Sequence, residues 1–163
     1  MTSSDLAGAE NYMRLELPAL PENIGLARVS VAGFAAQANY TLADLEEIKL
    51  CVSEAVSNAV LHAYPEKPGP VIITARRENE QLVIEVADRG RGIDDVHKAR
   101  EPQFSTLPDH MGLGFVFMES FMDDVQVISA PGQGTTLTMT RRLPPRLPAS
   151  AGTAADGGRD VGR

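Results

Sequence analysis

The sequence predicts an α+β fold, a two-layer sandwich in which helices cover one face of a mixed, mostly antiparallel sheet. Strand-like alternation and helical periodicity occupy separate stretches, in the order β-α-α-ββ-connection-α-ββ. The paired strand-like runs are joined by short polar or glycine-containing turns, which makes them hairpins rather than parallel crossovers. At 163 residues, 43% hydrophobic and 23% charged, the chain suits one soluble domain with a single core.

Residues 1–11 are small and polar and read as a flexible N-terminus. Residues 12–17, Tyr12 to Leu17, alternate as a strand does and end at Pro18 and Pro21. From Glu22, apolar residues Ile24, Ala27, Val31, Phe34 and Ala38 recur at helical spacing. Thr41 with Asp44 forms a capping-box pattern that opens a second helix, which runs to about Tyr64 before Pro65, Pro68 and Pro70. Val71–Arg76 and Leu82–Ala87 read as a hairpin. A connection of about 18 residues follows Ile93, with a short helical candidate at 94–100. A connection of this length inside a compact domain is usually functional, often a lid. Residues 111–122 are apolar almost all round and read as a buried helix. Val125–Ser129 and Thr135–Thr140 form a closing hairpin. The Pro/Ala/Gly-rich residues 144–163 read as a disordered tail, leaving 12–143 as the folded domain.

The formal net charge of −7 argues against direct nucleic-acid binding, which needs a basic face. No apolar run approaches membrane-spanning length, and no basic-then-apolar leader opens the chain. The single cysteine, Cys51, has no internal disulfide partner and reads as a small, partly buried helical residue; no basic group is locally placed to activate it as a nucleophile. A cytoplasmic protein is expected.

The second helix organises the chain. Leu45, Ile48, Val52, Ala55, Val56, Ala59 and Ala63 form its apolar stripe, while Glu54 and Asn58, one turn apart, fall on another side with Glu47 and Cys51 beside them. Such a pair could be only a solvated helix face. Leu50 and Leu61 flank it, however, and two glycine-punctuated segments follow. Asp88-Arg-Gly90-Arg-Gly92 ends a strand in a turn where the carboxylate can accept hydrogen bonds and the backbone is bare. Gly112-Leu-Gly114 precedes a helix, where exposed N–H groups and the helix dipole favour an anion. Each alone is a common turn or packing feature. Neither is a Walker loop or a dinucleotide fingerprint.

Together with Gly134-Thr-Thr136 in the last hairpin, these segments form an ordered series that resembles the Bergerat, or GHKL, ATP-binding family. Within it, Val52-Ser-Glu-Ala-Val-Ser-Asn58, Ala27-Arg-Val-Ser-Val31 and Phe121-Met-Asp-Asp-Val125 resemble the serine-kinase branch of anti-sigma-F factors that act in sporulation; general-stress anti-sigma kinases are more distant. The resemblance spans about residues 12–143 and implies the following roles. Asn58 would be the Mg²⁺ ligand, completing an octahedron with phosphate oxygens and waters. Glu54 would be the general base. Asp88 would accept from the adenine amino group, supported by Thr136 through water. Gly90 and Gly92 would admit the base, and Gly112 and Gly114 would present N–H groups to the phosphates of ATP. The family's lid carries a basic residue before its second glycine segment, whereas this lid is about two residues shorter and reads Pro108-Asp109-His110-Met111. Charge on the transferring phosphoryl would then be met by His110, Lys98, Arg100 or the partner.

The resemblance further implies an anti-sigma factor that holds a sporulation sigma factor and phosphorylates a serine of its anti-anti-sigma antagonist. A homodimer is expected, with the 12–17 strand and helix one as its surface. A nucleotide-gated binding module with vestigial catalysis and an orphan histidine-kinase domain are the competing readings. Arg28 is a surface charge by composition, and by resemblance a partner-facing arginine. Asp123 and Asp124, at a helix C-terminus that disfavours acid, read as a solvated turn or as partner contacts. His62 reads as a helix-terminal cap rather than a catalyst.

Overall fold

A five-stranded sheet carries three helices on one of its faces. The structure, a computed structural model, describes residues 9–96 and 113–145. Its elements are β1 (Asn11–Pro18), α1 (Pro21–Ala35), α2 (Leu42–Asn58), β2 (Pro70–Glu78), β3 (Gln81–Asp88), α3 (Gly114–Phe121), β4 (Asp124–Ser129) and β5 (Thr135–Arg142). The strand order is β1-β2-β3-β5-β4. Every neighbouring pair among the described residues is antiparallel, so the sheet is not mixed.

Register explains which face takes the helices, because residues directly opposite across strands share a face. One row crosses all five strands as Leu15, Ile73, Val86, Leu137 and Val127; the next is Met13, Ala75, Ile84, Met139 and Val125. These rows join Ala27, Val31 and Ala35 of α1, Ile48, Val52, Ala55 and Val56 of α2, and Met118 of α3 in one core. The alternate rows, such as Arg14, Thr74, Glu85, Thr138 and Gln126, face away from the helices. Ile128 lies on that side and is 73% exposed.

The Thr41/Asp44 capping box is present in both directions. Thr41 Oγ1 accepts from the Asp44 N–H at 3.1 Å, and Asp44 Oδ2 accepts from the Thr41 N–H at 2.9 Å. Arg141 of β5 then pairs with Asp44 at 2.5 Å and Glu47 at 2.8 Å, so the start of α2 is tied to the far end of the sheet.

Several boundaries differ from the sequence reading. Helix one ends at Ala35, and a 3₁₀ turn at Ala36–Ala38 leads to Asn39 in the left-handed region. Helix two is α-helical only to Asn58; Ala59–Ala63 form a π turn. The expected flexible start is too long, since the Glu10 N–H already donates to the Arg77 carbonyl and Asn11 opens β1. Cys51 is completely buried rather than partly so, because α3 packs on that flank of α2; its Sγ lies 3.9 Å from the Phe117 carbonyl. Burial pushes the Cys51 thiol up to about 12, which keeps it protonated and inert. Conversely, α3 is only partly covered: Met118 is buried, Glu119 and Ser120 are exposed, and the Phe117 and Phe121 rings stack at 6.4 Å. Residues 97–112, which carry most of the expected lid and its helical candidate, lie outside the described residues, as do 146–163 of the tail.

Candidate active site

Glu54 and Asn58 sit half-buried in the last turns of α2, on the side approached by α3. The first residue of α3, Gly114, lies directly against the carboxylate. A Cβ placed on it would fall 2.8 Å from Glu54 Oε2, so only glycine leaves this acid its present position. An acidic group therefore stands beside the N-terminal N–H groups of a helix, where the dipole favours negative charge. Gly112, Lys98, Arg100, Asp109 and His110 fall outside the described residues.

The Asp88 turn is the second half of the site. Asp88 Oδ1 accepts from the Gly90 N–H at 2.8 Å and from the Thr135 N–H at 3.2 Å. Burial raises the Asp88 carboxyl above its ordinary value, and these two amides oppose the shift. Gly90 and Gly92 are accounted for by the protein's own backbone. A Cβ on Gly90 would collide with the Ala63 carbonyl, and Gly92 has φ +73° and backs onto the Ala130 carbonyl. Gly134, with φ +77°, is likewise pressed against the Asp88 carbonyl. The glycines thus let three segments close on one another, which places the Asp88 turn beneath the β4–β5 hairpin.

Thr136 is not where the sequence reading needs it. It pairs with Ala87, and so stands on the sheet face opposite to Asp88. Thr135, the adjacent residue, is on the Asp88 side. Its N–H reaches Asp88, and its hydroxyl meets Ser129 Oγ at 2.9 Å. Ser129 also donates to the Gly134 carbonyl at 2.8 Å and accepts from the Ile93 N–H at 2.9 Å, tying the Asp88 segment to the closing hairpin.

The remaining sequence candidates are dispersed. Arg28 is exposed on α1 and lines a cleft of about 360 Å³ with Val29, Glu46, Lys49, Leu50 and Ser53. Asp123 Oδ2 accepts from the Arg142 N–H at 2.6 Å, so this carboxylate closes the β4–β5 pairing. Asp124 accepts from Gln126 at 2.8 Å on an exposed strand end. His62 is half-buried in the π turn. Among the described residues no group of three or more His, Cys, Asp or Glu side chains could hold a metal ion. Asn58 is the residue that would hold a magnesium ion, with phosphates and waters supplying the other ligands.

The histidine kinase-like ATPase domain family matches residues 17–141. The anti-sigma F factor of Clostridium acetobutylicum is 45% identical over 136 residues, covering 82% of this chain and 95% of its own length. The chain belongs to the anti-sigma F factor family. A second member, from Bacillus subtilis, is 45% identical over 137 residues, covering 82% and 94% of the two chains. A solved structure of the RsbU and RsbW domains of a Mycobacterium tuberculosis protein superposes with a TM-score of 0.61 at 21% identity. It covers 82% of this chain but only 32% of that longer one, and the likeness is one of fold.

The structure places Glu54 and Asn58 on α2 and Asp88 at the end of β3, where the sequence expectation put them. Ser129, Thr135 and Tyr64, which bond to the Asp88 segment, were not among the expected residues. Ser129 and Thr135 had a readable signal, because they flank the Pro-Gly-Gln-Gly turn and a two-residue period places Thr135 on the Asp88 face.

Proposed function

We propose that the protein is an ATP-dependent serine kinase and anti-sigma factor. It holds a sporulation sigma factor inactive and transfers the γ-phosphoryl group of ATP to a serine of an anti-anti-sigma antagonist. The observation that carries this reading is the Glu54 carboxylate set against Gly114 at the start of α3, one turn before Asn58. Membership of the family supports the nucleotide and both partners.

In this reading Asp88 recognises the adenine amino group, with Thr135 in the supporting place that Thr136 does not occupy. The backbone N–H groups at Gly114, together with those at Gly112, meet the phosphates. Asn58 offers its carbonyl to Mg²⁺, which would neutralise phosphate charge. Glu54 takes the proton of the attacking serine hydroxyl; its place beside a helix N-terminus is one where negative charge is favoured. Positioning and electrostatics do most of the work in such a transfer.

The partners would dock on the helical side, where exposed Arg28 lines the cleft between α1 and α2. Asp124 lies on the other face of the sheet with Gln126 and remains a separate contact candidate, whereas Asp123 is already engaged with Arg142. A homodimer would use β1, one of the two edge strands of the described sheet, with Tyr12 53% exposed. No described helix is long and apolar enough to cross a membrane, and we place the protein in the cytoplasm.

The test is transfer of radioactive γ-phosphate from ATP to the antagonist. An acid-stable phosphoserine on the antagonist is expected. An acid-labile product would point to a histidine kinase, and no transfer at all, with tight sigma binding, to a nucleotide-gated module.

A further inference from the structure

The turn that follows β3 is held by an unusual set of bonds. All three of its N–H groups after Asp88 have partners inside the protein. The Arg89 N–H donates to the Tyr64 hydroxyl at 2.8 Å, the Gly90 N–H to Asp88 itself, and the Arg91 N–H to the Ala63 carbonyl at 2.9 Å. Two of the three partners are consecutive residues, Ala63 and Tyr64, at the exit from α2. The π turn at Ala59–Ala63 delivers them: its wider winding after Asn58 brings the Ala63 carbonyl out to meet Arg91.

Tyr64 is itself fixed at three points. Its hydroxyl donates to the Pro70 carbonyl at 2.6 Å while accepting from Arg89. Its ring lies over Gly69, where any Cβ would collide with it. One phenol therefore joins the end of the Glu54/Asn58 helix, the entry to β2 and the Asp88 turn. Burial and the nearby Asp88 charge raise its pKa, so the hydroxyl keeps the proton it gives to Pro70.

We infer that Tyr64 is a positioning residue for nucleotide recognition, locking the Asp88 turn to the C-terminal exit of α2 before any nucleotide arrives. Tyr64 acts through Asp88 and does not touch the reacting atoms. The inference rests on the proposed role of Asp88 toward adenine. A turn already held in its binding conformation forfeits less ordering entropy when it takes up ligand.

Tyr64→Phe isolates the hydroxyl, because the ring that packs over Gly69 is retained. One lost hydrogen bond and a looser turn are expected to weaken ATP and ADP by the same factor, about three- to tenfold. The factor is shared because the lesion is at the base end and not at the phosphates. Turnover at saturating ATP should stay within about twofold of the parent, so KM for ATP moves and kcat does not. Amide hydrogen exchange at Arg89 should accelerate, while Arg91, held by Ala63, keeps its protection.

Unchanged ATP and ADP affinities in a folded Tyr64→Phe protein would overturn the inference. So would a matched fall in kcat and affinity with Arg89 still protected. Failure of the unmodified protein to bind ATP would instead remove the nucleotide reading, and this inference with it. Should Tyr64→Phe not fold, the unmodified protein decides: a protected Arg89 amide without nucleotide supports the lock, and a freely exchanging one refutes it.

Discussion

Replacing Gly114 by alanine is expected to reduce kinase turnover while leaving the fold intact. The new Cβ would sit 2.8 Å from Glu54 Oε2, against the 3.4 Å at which ordinary contact begins, so the carboxylate must move by about 0.6 Å. Backbone strain does not enter, since Gly114 is not among the residues with positive φ. Alanine is also the better helix former, by up to about 1 kcal/mol. Melting temperature should therefore hold or rise slightly. Displacing a catalytic group by about 1 Å costs on the order of 100-fold, so a shift of this size should slow the chemical step by roughly 10- to 50-fold. That corresponds to about 1.4–2.3 kcal/mol of barrier. The assay is the initial rate of phosphoryl transfer to the antagonist at saturating ATP, with calorimetry for stability and nucleotide affinity. A parent-like rate in a folded Gly114→Ala protein would refute the placement of Glu54 at the chemistry. A collapse of melting temperature would refute the claim that Gly114 serves the carboxylate rather than the packing.

Asn58→Ala should abolish the Mg²⁺-dependent part of ATP binding in a folded protein, read by titration calorimetry with and without the metal; tight Mg²⁺-dependent binding would contradict the ligand assignment. Asp88 gives a pH signature. Its folded pKa is raised above 3.8, so its favourable contribution to stability is fully present below 3.8 and is lost as pH rises through the raised value. The ionised form proposed to accept from adenine disappears in the opposite direction, so ATP affinity should fall on acidification with a midpoint above 3.8, a step that Asp88→Asn should erase. Glu80→Gly should stabilise the protein by about 0.5–1 kcal/mol, read as a rise in melting temperature, because Glu80 holds φ 58° in the two-residue β2–β3 turn.

The architecture was legible because the two kinds of period are spatially separate in the chain. Alternation in β1, β3 and β5 put Leu15, Ile84 and Met139 on one face, and the capping box marked the start of α2. The places of Glu54, Asn58 and Asp88 in the fold were legible because each lies on a regular element or at its end. The wheel misplaced Cys51, because a single-helix projection cannot show that α3 covers a second flank of α2. Adjacent threonines are alike in composition; what separates Thr135 from Thr136 is the two-residue period of β5, which puts Thr135 with Leu137 and Met139. The π turn was unreadable, since nothing in the composition of Ala59–Ala63 marks a change from α winding, and the Arg91 N–H that meets its Ala63 carbonyl is distant in the chain. Tyr64 escaped for the same reason: its partners lie 6 and 25 residues away.

Glu54→Gln tests the central claim most directly, that this carboxylate is the base of a phosphoryl transfer. The substitution keeps size and hydrogen bonding, and it leaves in place the metal and nucleotide contacts proposed for Asn58, Asp88 and the glycines. General-base assistance is worth about 10²- to 10⁴-fold. The measurement is γ-phosphate transfer to the antagonist serine by parent and variant at saturating ATP, alongside sigma-factor binding. The expected result is a loss of transfer in that range with ATP and sigma binding preserved. Equal transfer rates, or loss of ATP binding together with transfer, would contradict it.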